Sequence, residues 1–352
     1  MNRIEKLRSV MPEGVDAFIT TDDKTRLYLT KFHSSAGTVF VSRASATFYV
    51  DFRYIEAAEK NAKDVSVVMP EGKVSDAINK IIADEGIKKV GFEEGKLTVV
   101  EFDRLKKTYE SVEFVPMSRA ISELCVIKDE EEMEAIKAAQ DITDRAFAEF
   151  LTVFSPEMTE TDVAAELEYR MKRLGATCPS FETIAVSGTN SSRPHGVPSP
   201  EKLQKGFLTM DFGCVYGGYC SDMTRTISVG KADEEMKRVY NTVLRAQLAA
   251  IDFAKVGVLC ADVDKVARDI INEAGYQGCF GHSLGHGVGL YIHEEPRFAG
   301  GSKDIVKVGH VITVEPGIYI KGKYGVRIED MIIATEGGIV DITKSPKELL
   351  EL

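Results

Sequence analysis

Four apolar β-type runs in the second half of this chain carry a carboxylate at one end, and that pattern constrains the fold more than any other. Leu208-Thr209-Met210 reads as a buried strand and runs straight into Asp211. Eleven positions on, Asp222 precedes a second strand, residues 223–229, with Gly213, Gly217 and Gly218 between, a good length for a hairpin. Val311-Ile312-Thr313-Val314 likewise carries Glu315, and Gly325-Val326-Arg327-Ile328 carries Glu329, fourteen positions away across a second plausible hairpin. A buried carboxylate is costly unless it is paired or metal-bound. Surface turn aspartates, or a solvated Arg327 and Glu329 on one strand face, would explain each feature singly. Four together point to one cleft that gathers them.

The histidines lead to the same region. Five of the six follow residue 190, and His282, His286 and His293 fall within twelve positions, among Gly281, Gly285, Gly287 and Gly289. A lone histidine is usually a satisfied surface or core residue. Three in so glycine-rich a stretch imply a backbone that approaches a ligand closely or adopts positive φ. Four carboxylates in one cleft would repel one another strongly without compensating positive charge. Two divalent cations supply it, and oxygen ligands with one imidazole suit manganese, cobalt, zinc or iron without selecting among them. Paired ions share a hydroxide and clamp a hydrolytic transition state.

Competing chemistries have less support. Asp211-Phe212-Gly213 is the magnesium tripeptide of kinases, but no HRD loop accompanies it. There is no HExxH helix and no CxxC pair. Cys279 near His282, or Cys214 and Cys220 near the aspartates, is a weaker zinc alternative. Gly285, Gly287 and Gly289 complete no nucleotide fingerprint, and no Ser or Cys nucleophile sits on a recognisable elbow.

At 352 residues the chain exceeds what one hydrophobic core usually serves, so two domains are expected. Residues 1–125 alternate β-rich runs, such as those at Val15, Gly37 and Ala46, with helical stretches. They read as an α/β unit whose only histidine, His33, is structural or surface. Residues 113–128 read as the linker. Residues 126–352 hold a weak internal echo. A long helix capped by Asp129 precedes one opening at Thr159 and Asp162, a capping-box pattern. Another long helix from Asp233 precedes one from Ala261, and glycine-rich β sequence follows each pair. Two helix–helix–sheet halves imply an α+β domain with pseudo-twofold symmetry and a site where the halves meet.

Composition excludes several classes. Lys and Arg number 44 against 55 Asp and Glu, a net charge of −11, which argues against a nucleic-acid partner. No apolar run reaches the roughly 18 residues of a membrane helix, so no membrane partner is expected. The first residues show no secretion signal, and six irregularly spaced cysteines suit a reduced, cytoplasmic protein.

Taken together, MDFG at Met210, SDMTRT at Ser221, GHGVGL at Gly285, HEEP at His293, VEPGIYI at Val314 and GVRIED at Gly325 resemble, in order and spacing, the motifs of the pita-bread metallopeptidases, in the prolidase and aminopeptidase P branch. The resemblance covers everything after about residue 125. Residues 1–125 resemble, more weakly, that branch's α/β creatinase-type N-terminal domain. The resemblance implies five metal ligands: Asp222 and Glu329 bridging two ions, Asp211 on one, and His286 with Glu315 on the other. It also implies that Glu315 passes a proton between the bridging water and the leaving nitrogen. His195 and His293 would contact the substrate and stabilise the tetrahedral species. His282, Arg327 and Arg297 would lie on the substrate side, Arg297 meeting a free carboxylate.

The same resemblance implies two divalent ions per chain, manganese ahead of cobalt or zinc, and a homodimer formed through the N-terminal domain, which would also cap the substrate. Tyr291 departs from the pattern, since most members carry an acidic residue there. No ligand changes, so the chemistry is expected to survive while pocket shape or ligand orientation shifts.

Members of this branch act on the bond before proline, a tertiary amide without an N–H for a peptidase to grip and with slowly exchanging isomers. The expected activity is release of the N-terminal residue from Xaa-Pro dipeptides. The alternative is an Xaa-Pro aminopeptidase acting on longer peptides, and Arg297 tilts the choice toward dipeptides. A metal-free creatinase-like hydrolase, or a non-catalytic binding protein, should have lost ligands that are all present here. A methionine aminopeptidase would usually lack the N-terminal domain.

Overall fold

β-Branched and aromatic runs in the first hundred residues become strands of one sheet. The computed structural model describes residues 1–352 and divides into two units, Met1–Cys125 and Val126–Leu352. The first unit contains β1 (Ala17–Thr20), β2 (Thr38–Ser42), β3 (Ala46–Tyr49), β4 (Ser66–Val68), β5 (Lys89–Phe92) and β6 (Glu113–Pro116), in the order β4-β3-β2-β1-β5-β6. The β1–β2 and β2–β3 pairs are antiparallel and the other three parallel. Helix Val74–Asp84 buries Ile78 and Ile82 in a core with Ala17, Ile19, Val90 and Phe92. Each buried isoleucine, valine or phenylalanine there contributes roughly 1.5–3 kcal/mol.

Residues 113–128 are not the linker that the sequence suggested. Glu113–Pro116 pairs in parallel with β5, and Ser118–Val126 is a helix burying Ile121 and Cys125. Phe114 explains the difference: its ring lies edge-on to Phe92 and Phe102, at 5.7 and 6.1 Å between centroids. A segment with that contact belongs to the core.

The second unit repeats a helix–helix–sheet plan. Helix Glu130–Leu151 opens with a capping box between Asp129 and Glu132, and helix Glu160–Arg173 with one between Thr159 and Asp162. Phe147, Phe150, Val163 and Leu167 from this pair pack on Met210, Phe212 and Ile227. Those last residues come from the sheet of β8 (Ile184–Ser187), β9 (Gly206–Phe212) and β12 (Met223–Val229). β7 (Cys178–Pro179), β10 (Cys214–Tyr216) and β11 (Tyr219–Cys220) form a small sheet beyond the end of β9.

Helices Glu234–Phe253 and Cys260–Ile271 build the second core. Its sheet runs β14-β13-β15-β18-β19, from β13 (Gly285–Gly287), β14 (Glu294–Phe298), β15 (Val311–Val314), β18 (Asp330–Thr335) and β19 (Gly338–Asp341). The hairpin of β16 (Gly317–Ile320) and β17 (Tyr324–Arg327) completes it.

Period-two alternation makes the seam between the halves. Met210 and Phe212 enter the first core, which turns Thr209 and Asp211 to the opposite face of β9. Thr224 pairs with Asp211 and Thr226 with Thr209. The Thr226 hydroxyl donates to the Arg327 carbonyl at 2.9 Å, the Thr209 hydroxyl to the Gly325 carbonyl at 3.3 Å, and the Glu329 N–H to the Thr224 carbonyl at 3.1 Å. The carboxylate-bearing ends of both halves therefore meet.

Candidate metal centre

Each strand delivers its side chain to that seam. Asp222 sits at the entry to β12, His286 at the middle of β13, and Glu329 between β17 and β18. All three are buried, and one ligand atom from each lies within 4.8 Å of the others. Glu315 follows β15, with Oε1 3.5 Å from His286 Nε2, while Asp222 Oδ2 is 3.6 Å from the same nitrogen. Those spacings are long for hydrogen bonds and leave room for a cation between the atoms. His286 Nδ1 lies 3.1 Å from the Gly287 carbonyl. That acceptor fixes the proton on Nδ1 and leaves the Nε2 lone pair facing the carboxylates. Burial pushes the imidazole pKa down to about 3, so the ring is neutral.

Asp211 completes the group through Arg327, whose Nη2 donates to Oδ2 at 2.7 Å. The other oxygen, Oδ1, is buried without a hydrogen-bond partner. Arg327 is not a solvated strand-face cation but a buried hub. Its Nε donates to the Thr224 hydroxyl at 3.0 Å, and Nη1 to the Tyr319 hydroxyl at 2.6 Å and the Pro194 carbonyl at 3.3 Å. Thr224 donates in turn to Glu329 Oε2 at 2.6 Å.

The electrostatics ask for a cation. Burial, then the charges of Glu329 and Asp211, pushes the Asp222 carboxyl well above its ordinary range. Burial, then Glu315 and Asp211, does the same to Glu329. Burial raises Glu315 to about 8 against the pull of Arg327. A divalent ion among these groups reverses that logic, because it favours every charged form at once. A neutral imidazole lone pair, crowded carboxylates and the unpartnered Asp211 Oδ1 fit a divalent metal with mixed oxygen and nitrogen ligands.

Asp211, Asp222, His286 and Glu329 open onto a cleft of about 350 Å³, which Phe181, Ile184, Val197 and Ile292 line on its apolar side. His195 and His293 are exposed on it, and the His293 ring stands edge-on to His286 at 4.5 Å. Burial lowers the His293 pKa. His282 has Nδ1 2.8 Å from the Ser283 carbonyl and Nε2 3.0 Å from the Tyr319 hydroxyl, and burial pushes its pKa down to about 4. Arg297 faces His286 across the β13–β14 pair, partly exposed, with Glu295 3.8 Å from its Nε. The Tyr291 N–H donates to Glu294 at 3.0 Å.

Two features differ from the sequence reading. Gly285 and Gly287 have no positive φ, and their role is close strand packing. A Cβ on Gly285 would lie 1.9 Å from the Thr313 carbonyl oxygen, and one on Gly287 2.2 Å from that of Glu295. The bare backbone lets β13 bring His286 against Glu315. Tyr319 and Thr224 escaped sequence reasoning; Tyr319 is the one hydroxyl of its strand, whereas Thr224 shares its strand with Thr226 and Ser228 and nothing sets it apart.

Residues 134–336 match the model of metallopeptidase family M24, and residues 3–127 that of the creatinase/prolidase N-terminal domain. An Xaa-Pro dipeptidase of Pyrococcus horikoshii is 37% identical over 351 residues, covering 99% of this chain and 98% of its own. The solved Xaa-Pro dipeptidase from Bacillus anthracis superposes with a TM-score of 0.95 at 43% identity, covering 99% of both chains. An X-Pro aminopeptidase from Thermotoga maritima superposes at 0.94 with 35% identity, covering 99% of this chain and all of its own. With the family model spanning the whole seam and full-length likeness on either side of it, the chain belongs to metallopeptidase family M24 and carries that family's creatinase/prolidase type of N-terminal domain.

Proposed function

We propose that this chain hydrolyses the peptide bond before proline, releasing the N-terminal residue of Xaa-Pro dipeptides with the help of two divalent cations. One observation carries the reading: the Nε2 lone pair of a neutral His286 faces Glu315 and Asp222 at 3.5 and 3.6 Å, with an unpartnered Asp211 Oδ1 in the same cleft. Asp211, Asp222, His286, Glu315 and Glu329 would together hold the ions. Manganese is the first expectation, then cobalt or zinc. Cations held there supply Lewis acidity at the scissile carbonyl and a hydroxide at neutral pH.

The chain's own groups do the rest. Glu315 takes the proton of the attacking water and returns it to the proline nitrogen as the bond breaks, which a tertiary amide needs to leave as an amine. His293 and His195 donate to the developing oxyanion from the open side of the cleft. His282 and Arg327, linked through Tyr319, hold the substrate side. Arg297 binds the free carboxylate of a dipeptide in a charge-assisted pair. A cleft of about 350 Å³ suits so small a substrate.

The likeness to an X-Pro aminopeptidase favours the second reading, longer peptides with proline in second place. Hydrolysis of Ala-Pro and Ala-Pro-Gly-Gly, after chelation and addition of manganese, cobalt or zinc, separates the two. The expected result is at least about tenfold higher kcat/KM for the dipeptide. Preference for the tetrapeptide would move the chain to the second reading, and hydrolysis of neither would discard both. A homodimer formed through residues 1–125, which would also cap the substrate, is expected, with gel filtration as its test. A cytoplasmic location agrees with six free cysteines. No helix of the structure is long and apolar enough to cross a membrane.

A further inference from the structure

The His195 imidazole makes no side-chain hydrogen bond, so the backbone beneath it sets its position. That backbone is a loop, residues 188–198, which runs from the end of β8 through a short 3-10 turn, Gly188–Ser192, to Ser199. One carboxylate closes it. Glu160, the first residue of helix Glu160–Arg173, is only 2% exposed. Its Oε1 accepts from the Ser187 N–H at 2.6 Å and the Ser187 hydroxyl at 3.0 Å. Its Oε2 accepts from the Ser199 N–H at 2.9 Å, the Ser199 hydroxyl at 2.8 Å and the Asn190 side-chain amide at 2.8 Å. Both ends of the loop and one point within it thus hang on a single buried group. The positive end of the helix favours a negative charge at that place.

The other half of the unit holds the middle of the same loop. The Pro194 carbonyl accepts from Arg327 Nη1 at 3.3 Å, and the Gly325 N–H donates to the Ser191 hydroxyl at 2.9 Å. The Asn190 amide also donates to the Val197 carbonyl at 3.2 Å, beyond His195. Without Glu160 the ends would keep the bond from the Gln204 N–H to the Ser187 hydroxyl at 3.0 Å and those from the Thr161 N–H and hydroxyl to the Ser199 carbonyl at 3.1 Å, but the five donors would lose their acceptor in a buried site, where an unmade bond is expensive.

We propose that Glu160, which is no metal ligand, is a positioning residue for catalysis: its carboxylate fixes the loop that presents His195 to the reacting carbonyl. The catalytic half of this inference rests on the assignment of His195 given above. The structural half, anchoring of residues 187–199, stands independently of it.

The test uses Glu160→Gln in the full-length, metal-loaded enzyme. An amide in place of the carboxylate turns one acceptor arm into a donor facing other donors. Expected are a fall in kcat/KM for Ala-Pro of about 10–100-fold, as misplaced groups produce, and faster amide hydrogen exchange confined to residues 187–199. Metal content should equal that of the wild type. In a His195→Ala background the same substitution should cost less than about twofold, because both changes act through one group. Equal losses in both backgrounds, a matching loss of metal, or unchanged exchange across the loop would overturn the proposal. Should Glu160→Gln not fold, Ser199→Ala removes one donor and keeps the carboxylate; a smaller loss with the same exchange signature is expected, and wild-type behaviour in both would overturn it. Wild-type turnover in His195→Ala alone would instead remove the role assigned to His195, leaving loop exchange to decide whether Glu160 is the anchor.

Discussion

Arg327 and Asp211 form a buried ion pair across the seam of the second unit, Nη2 to Oδ2 at 2.7 Å, with both side chains nearly sealed from solvent. The pair aims Asp211 and occupies one of its oxygens, which leaves Oδ1 for a ligand. Removing one partner strands a buried charge. Arg327→Ala should therefore lower Xaa-Pro turnover by about 100-fold or more. Arg327→Lys should restore little, since an ammonium cannot reach Asp211, Thr224 and Tyr319 together. Steady-state kinetics on Arg327→Lys close to wild type would contradict this assignment.

A second buried pair is expected to govern stability. Lys128 Nζ lies 2.8 Å from Glu294 Oε2, with side chains 1% and 7% exposed. Lys128→Met leaves Glu294 unpaired and should cost about 3–5 kcal/mol in denaturant unfolding. Adding Glu294→Gln removes the stranded charge while an amide oxygen still accepts the Tyr291 N–H, so the double variant should recover at least half of the loss. A double variant less stable than the single one would count against the pair.

The first unit should show a pH signature of its own. Burial raises the Glu93 pKa above its ordinary value, against hydrogen bonds from the Thr20 and Thr25 hydroxyls. A raised folded-state pKa means the folded state holds its proton longer than the unfolded one. The stabilisation is complete below the unfolded value near 4.5 and is lost as pH rises through the folded value. Glu93→Gln keeps a neutral group at every pH, so its stability relative to wild type should grow from pH 4.5 toward neutrality. Urea midpoints that differ by a constant amount across that range would rule the linkage out.

Cation binding should also appear as thermal stability. A ligand bound only by the folded state adds about 4 kcal/mol at a thousandfold excess over its Kd. For domains of this size that is roughly 10 °C in Tm. Calorimetry before and after chelation should show a drop of that order, reversed by manganese. An unmoved Tm would mean that these carboxylates hold no cation.

Much of the cleft is legible in the sequence because strands alternate. Asp211, Asp222, Glu315 and Glu329 stand out where apolar runs meet charge, and the structure brings them to one seam with His286. Partners that lie far along the chain are not legible in the same way. Thr224 reads as an ordinary strand threonine until Glu329, about a hundred residues later, accepts a hydrogen bond from its hydroxyl. Glu160 reads as the second residue of a capping box, while its five donors come from a loop beginning 27 residues on. The glycines around His286 invite a ligand-contact reading, because a sequence does not reveal that Thr313 and Glu295 press against them. Residues 113–128 pass for a linker since Phe114 shows its worth only beside Phe92.

The most direct test of the central claim is metal content and Ala-Pro turnover measured together on wild type and Glu329→Gln. About two divalent ions per wild-type chain are expected, with turnover lost on chelation and regained on adding manganese, and with both ions and turnover greatly reduced in the variant. Undiminished hydrolysis by demetallated wild type, or by Glu329→Gln, would contradict the account.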